Sequence, residues 1–434
     1  SLHRYNYKAS KTIIMSDKAR FYLEQSVPEL QDLEKKGLFT KKEVKMIMRR
    51  WTEFEHRIMS RGSTPDDYLY YVRFEKNLEK LRKLRYQRMR SVIDTKKSIS
   101  DYSASKRIRF IFDRGVRKFP NSMELWAQYL KYAKKHGSVK VVYRVYTRLL
   151  QLQPRNVNVW LSAANYEYDY NKNVKSARNL LVRCLRFNGD ELYPWLEFIK
   201  FELNYLSKLL IRRKLFNLIT EKQQMDDLKE NEHSANTDSL AQGADVVQVS
   251  GSSEVGENLS ELTDLNASTL GTAENNPVLR GDLIITMYDA CLEALTKNLH
   301  DNINEGRYDV KFTKVWEIAN KVIDIVDQFE ALDRSHICGH IISDLMEKYP
   351  EKDQVILLDL TIPIRYMKVD NVEFVSSLKN SVRMYQSWVS RTKAESTVKI
   401  SVKKLYINYL TQQYLSECTG EQKDLLELLL RKLQ

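Results

Sequence analysis

Three groupings in the chain hold the residue types from which reactive or ligand-binding sites are built. His336-Ile337-Cys338-Gly339-His340 places two imidazoles and a thiol within one short stretch, the donor types of a zinc site. On a helix His336 and His340 share a face while Cys338 points elsewhere, so a closed site would need two ligands from afar. A surface helix explains the spacing without a metal, and none is expected. Glu55, Glu75, Glu167 and Glu202 occur in Phe54-Glu55, Phe74-Glu75, Tyr166-Glu167 and Phe201-Glu202. Packing against arginines explains these carboxylates better than acid–base catalysis does. The chain also lacks a phosphate-binding glycine loop, GxSxG and HExxH, so no catalytic residue and no cofactor is expected.

The third grouping is basic. Between Lys80 and Lys118 stand fourteen Lys and Arg against Asp94, Asp101 and Asp113, a density that suffices for phosphate contacts. If they face solvent on neighbouring helices, Arg82, Lys83, Arg85, Arg88, Arg107 and Arg109 form a candidate surface for RNA or an acidic partner. A solvated helical face explains the same residues without a ligand. Base readout would need exposed aromatic platforms, for which Tyr86 is weak support.

The elements that must position these residues follow from one repeated pattern. Trp126-x-x-Tyr129-x-x-Tyr132, Trp160-x-x-Ala163-x-x-Tyr166-Glu167 and Trp195-x-x-Phe198-x-x-Phe201-Glu202 recur 34 and 35 residues apart, a period of helical repeats. Residues at i, i+3 and i+6 run along one side of a helix, so each unit opens with an aromatic stripe that a neighbour must cover. Second helices follow at Val141–Leu150 and Ser176–Phe187, with Pro154 and Gly189 as stops. Tyr68-x-x-Tyr71-x-x-Phe74-Glu75, after Thr64-Pro65-Asp66-Asp67, is a further unit with Tyr in place of Trp. The 58 residues from Tyr68 to Trp126 exceed one unit, and separate helices are expected at Lys80–Arg90 and Lys106–Lys118. The repeat core is thus Tyr68, Tyr71, Phe74, Glu75, Trp126, Tyr129, Tyr132, Trp160, Tyr166, Glu167, Arg178, Trp195, Phe198, Phe201 and Glu202. The fold class is all-α, a helical-hairpin repeat solenoid with a C-terminal helical half after an acidic linker.

Composition agrees with that class. Only 13 Gly and 8 Pro occur among 434 residues, as suits a helical chain. No apolar run approaches the roughly eighteen residues of a membrane span, the longest being Val355–Ile364 with Asp359 and Pro363 inside it. Four widely spaced cysteines form no CxxC pair, which favours a reducing compartment. Net charge is +25 over residues 1–219, −9 over 220–270 and −3 over 271–434, so the N-terminal half suits a polyanionic or acidic partner. Residues 1–15 contain no acid and precede Met-Ser-Asp; they read as an upstream extension or a cloning scar. A helical region is expected at 16–64, the repeats at 65–219, a disordered acidic linker at 220–270, and repeat-like helices at 271–434. In that last region helices are expected at Leu279–Leu299, Phe312–Leu332, His336–Tyr349, Val372–Val389, Val398–Tyr414 and Glu421–Leu433.

The 34-residue period fits two families. A tetratricopeptide unit would carry Gly four residues after the Trp, whereas here Glu takes the eighth position in two of three units. The pattern therefore resembles the half-a-tetratricopeptide (HAT) family. That resemblance implies a Glu paired with an Arg of the second helix, Glu167 with Arg178 here; Ala133 departs from it in the Trp126 unit. Tyr22-Leu23-Glu24-Gln25, Pro28-Glu29-Leu30, Gly37-Leu38-Phe39-Thr40, Phe54-Glu55 and Asn276-Pro277-Val278-Leu279-Arg280-Gly281-Asp282 narrow it. They resemble the HAT-repeat subunits of the small-subunit processome that act with the U3 small nucleolar ribonucleoprotein. This resemblance implies a non-catalytic scaffold in the nucleolus, working in pre-18S ribosomal RNA processing. The partners it implies are other processome subunits, β-propeller proteins among them, and U3 small nucleolar RNA or pre-ribosomal RNA. Neither a membrane nor a small-molecule substrate is implied. A HAT scaffold of messenger RNA splicing or 3′-end processing, and an adaptor that binds RNA directly, are the competing readings.

Overall fold

The structure, a computed structural model, describes residues 17–93, 96–215, 276–299, 310–393 and 397–433. The expected extension at 1–15 and acidic linker at 220–270 lie outside the described residues. No strand occurs among the described residues, and the chain divides into two compact units, Ser1–Pro154 and Arg155–Gln434. The fold is all-α, built of helical hairpins.

The first unit holds α1 (Val27–Lys35), α2 (Lys41–Met59), α3 (Pro65–Arg88), α4 (Ser103–Lys118), α5 (Met123–Lys135) and α6 (Val139–Leu152). Their starts are written locally. Thr40 and Glu43 form a reciprocal capping box at α2, and Thr64 and Asp67 do the same at α3 beside Pro65. Each helix packs on the next in the chain. Phe54 stacks on Tyr71 with ring centroids 4.9 Å apart, and Phe112 on Tyr129 at 5.0 Å. A Cβ on Gly115 would lie 3.1 Å from the Tyr68 ring, so glycine is what lets α4 approach α3. The expected helix at Lys80–Arg90 is instead the continuation of α3, which runs unbroken over 24 residues. No helix-breaking residue interrupts it, and Leu, Lys and Arg all favour continuation.

The second unit opens with α7 (Val157–Asn165), which ends in a π turn at Tyr166–Tyr170, followed by α8 (Val174–Asn188) and α9 (Leu192–Leu215). It continues through α10 (Asp282–Thr296), α11 (Val310–Asp327), α12 (Arg334–Lys348), α13 (Asp353–Arg365), α14 (Phe374–Arg391), α15 (Thr397–Leu410) and α16 (Glu421–Leu433). Helix α9 packs on α10 and α11, so Leu203 and Leu206 share one core with Tyr288, Ile318 and Ile341. Helix α13 is absent from the sequence expectation, in which this stretch figures only as an apolar run interrupted by Asp359 and Pro363. Pro363 stands in the last turn, where it removes only one backbone donor. Val355, Ile356, Leu360 and Ile364 are buried by this helix. The Tyr414 hydroxyl donates to the Ile364 carbonyl at 2.8 Å, and the Ser381 hydroxyl to that of Leu360 at 2.6 Å.

The aromatic stripes lie inward. Trp126, Tyr129 and Trp160 are 0–1% exposed, whereas Phe74, Trp195 and Phe201 are half-buried. The indoles of Trp126 and Trp195 each donate to a carbonyl six residues earlier, Pro120 at 2.8 Å and Gly189 at 3.1 Å. Each therefore pins the entry of its own helix. Far-ultraviolet circular dichroism is expected to show a helical chain, and Trp160→Ala to lower stability in denaturant titration by about 3 to 5 kcal/mol.

Candidate interaction surfaces

The carboxylates singled out in the sequence reach arginines, in a pattern richer than one pair per hairpin. On α4, Arg107 donates to Glu75 of α3 at 3.0 Å and also bonds Glu29 of α1. Its guanidinium lies 3.9 Å from the centre of the Trp51 ring, and the Trp51 indole donates to Glu75. Burial, the largest influence, pushes the Glu75 carboxyl up against the pull of Arg107. The same burial opposes the charge on Arg107, but Glu75 and Glu29 outweigh it and keep the guanidinium protonated. Two turns on, Arg114 makes a two-pronged contact with Glu55 of α2 at 2.7 and 2.9 Å, and Tyr71 donates to the same carboxylate at 3.1 Å. In the second unit Arg178 binds Glu202 of α9 at 2.7 Å. This corrects the implied pairing with Glu167. The Glu–Arg contact lies within a hairpin at Glu75–Arg107 but between successive hairpins at Arg178–Glu202, and the π turn that begins beside Glu167 shifts the phase of its helix end.

The candidate basic surface is corrected in the same way. Arg82 is buried, bonded to Glu79 at 2.8 Å and to Asp101 at 3.0 Å. Arg85 reaches Glu43 at 2.8 Å and the Leu38 carbonyl at 2.9 Å, tying the end of α3 to the start of α2. With Arg107 these are half of the six proposed cations, and they face carboxylates rather than solvent. Lys83 and Arg88 are exposed, and Arg109 is half-buried with its Nε on the Ser105 carbonyl at 3.3 Å. The sequence could not separate the two sets, since both belong to one run of Lys and Arg.

The Arg107 and Arg114 network floors a groove of about 770 Å³ between the helical residues 17–24, α1 and α4. Glu29, Trp51, Glu55 and Tyr71 lie at its base. Phe21, Ile99, Tyr102 and Phe110 line it and are 56%, 41%, 59% and 36% exposed. Glu29 and Trp51 were not among the expected core residues. Trp51-x-x-Phe54-Glu55 does carry the repeat signal, but it precedes Tyr68 by too few residues to fit the period. In α12 His336 and His340 lie on the part-exposed face, while Ile337, Cys338 and Ile341 are fully buried on the other. His336 meets Asp282 at 2.9 Å, His340 meets Asp289 at 3.2 Å, and Cys338 faces the Tyr366 hydroxyl at 2.8 Å. The three side chains have three separate partners.

Helical hairpins, a Trp-led aromatic stripe and buried Glu–Arg contacts make a HAT-like helical-repeat fold, and residues 85–225 match the family model of the PRP39 N-terminal HAT repeat. Within that class, residues 23–108 match the model of U3 small nucleolar RNA-associated protein 6. The protein of that name from Schizosaccharomyces pombe is 36% identical over 46% of this chain and 41% of its own length. Its mouse homolog is 30% identical over 47% of this chain and 33% of its own length. The Dictyostelium discoideum homolog is 24% identical over 88% of this chain and 58% of its own length. The resemblance read from the N-terminal residues is thus shown, and the chain spans well under two thirds of the relatives it matches.

Arg107→Ala strands two buried carboxylates and is expected to lower stability by about 3 to 5 kcal/mol. Lys83→Ala, at an exposed position, should change it by less than about 0.5 kcal/mol in the same urea titration. The Glu43 carboxyl is lowered from 4.5 to about 2, chiefly by its bond from Arg85. Its contribution is therefore full above pH 4.5 and lost as pH falls toward 2. Glu43→Gln should flatten the acid limb of the stability profile across that window.

Proposed function

We propose that the chain is a non-catalytic scaffold subunit of the small-subunit processome. It acts in the nucleolus, with the U3 small nucleolar ribonucleoprotein and within the subcomplex that contains β-propeller proteins, to support pre-18S ribosomal RNA processing. The observation that carries this reading is an overlap. The segment that matches the U3-associated family model, residues 23–108, contains the base of the N-terminal groove, from Glu29 and Trp51 through Tyr71 to Arg107. The carboxylates at that base are held by Arg107 and Arg114, so the groove offers a partner shape and exposed aromatic surface rather than free acidic groups. A protein subunit of the assembly is the occupant this surface suits, with Phe21, Tyr102 and Phe110 as its apolar contacts.

Affinity purification of the tagged full chain, read by mass spectrometry and by U3 RNA content, tests the proposal. Processome proteins and U3 RNA are expected with the unaltered chain. Tyr102→Glu with Phe110→Glu should lose protein partners while the melting curve stays in place. Recovery of splicing or 3′-end processing factors instead would favour a HAT scaffold of those pathways. The purified chain is expected neither to hydrolyse nucleotide nor to cleave RNA.

A further inference from the structure

The basic residues of the first unit divide by what they face. Those turned inward meet carboxylates: Arg82, Arg85, Arg107 and Arg114 each hold one or two. A second set is left without that compensation. Arg73, Lys76 and Lys80 follow one another on α3 at steps of three and four residues, which places them on one face about 4.5 to 6 Å apart along the axis. Lys76 reaches across to α4 and α5, its ammonium 5.6 Å from the centre of the Phe112 ring of α4 and 5.4 Å from that of Tyr132 of α5. Flanking Tyr132 on α5 are Lys131 and Lys135, both exposed. Among the described residues none of these five cations has a carboxylate within ion-pair distance. The nearest acid on α3, Glu79, is occupied by Arg82 at 2.8 Å and Lys83 at 3.6 Å.

We propose that Arg73, Lys76, Lys80, Lys131 and Lys135 form a binding strip for the phosphate backbone of single-stranded RNA, with Tyr70 at its end as a stacking platform for a base. Three observations favour this ligand. Partial burial lowers the Lys76 pKa, and repulsion from Lys131 and Lys135 adds to it, so a bound anion would relieve a like-charge cluster that the fold leaves uncompensated. Tyr70 is 54% exposed and Arg73 lies 5.6 Å from its ring centre, an aromatic face joined to the start of the charge row. Four of the five cations are lysines. Lysine ammonium groups bind phosphate as point charges. The strip shares no residue with the groove assigned to a protein partner and stands independently of the scaffold reading.

The test uses the purified full chain and an unstructured uridine oligomer. Binding is followed as salt is varied for the unaltered chain and for a variant with Arg73, Lys76, Lys80, Lys131 and Lys135 all changed to Gln. Neutralising five phosphate contacts should flatten the slope of log affinity against log salt by about 3.5 units, at about 0.7 per phosphate of a single strand. A matched control, Lys41, Lys42, Lys45, Arg49 and Arg50 of α2 changed to Gln, should keep the original slope. Tyr70→Ala should weaken binding several-fold without altering the slope. If the five-site variant melts early, Lys131→Gln with Lys135→Gln replaces it, with about 1.4 units of slope expected to go. The proposal is overturned by an unchanged slope in the strip variant or by an equal loss in the α2 control. It is also overturned if binding to a polyglutamate peptide is lost while RNA affinity is kept.

Discussion

The first unit depends on one guanidinium. Arg107 is shared by Glu29 of α1 and Glu75 of α3 and lies against the Trp51 ring of α2, so a side chain of α4 touches the three helices before it. A buried ion of this kind adds little stability over an apolar group of the same volume, but losing one partner strands the others. What it supplies is register. Only one sliding position of α4 brings Arg107 to Glu75 and Arg114 to Glu55 together, and Gly115 beside Tyr68 fits only that position.

Much of the architecture was legible because aromatic residues at helical spacing have one economical solution, burial against a second helix. The stripes at Trp126, Trp160 and Trp195, the helix start at Thr64, and six of the seven helices α10–α16 were readable in that way. The unread parts have physical causes. Helix α13 was hidden because Asp359 and Pro363 interrupt its apolar run, although a proline in the last turn is tolerated there. The length of α3 was hidden because the 58 residues from Tyr68 to Trp126 exceed one repeat and suggested a separate helix at Lys80–Arg90, although nothing ends α3 before Arg88.

The basic segment shows where sequence alone stops. A run of Lys and Arg on amphipathic helices says that positive charge is present but not toward which side it points. In this fold a difference of one helical position decides it: Arg82 is buried against Glu79 and Asp101, and Lys83 beside it is exposed. The cations of the strip begin before the densest stretch, at Arg73, take only Lys80 from it, and resume after it, at Lys131. Thus Arg82, Arg85, Arg107 and Arg114 of the most basic segment are held by carboxylates, while lysines such as Lys80 and Lys83 in the same run are exposed.

The first unit, in this account, carries two outward surfaces, a groove for protein and a strip for RNA, on a frame of inward ion pairs. Cross-linking mass spectrometry on the chain recovered from cells tests that division most directly. Ultraviolet cross-links to RNA should map to peptides that contain Tyr70–Lys83 or Lys131–Lys135, and lysine-reactive cross-links to protein subunits should involve Lys106 at the groove. RNA cross-links concentrated on Lys106–Lys118, or protein cross-links confined to the strip, would contradict it.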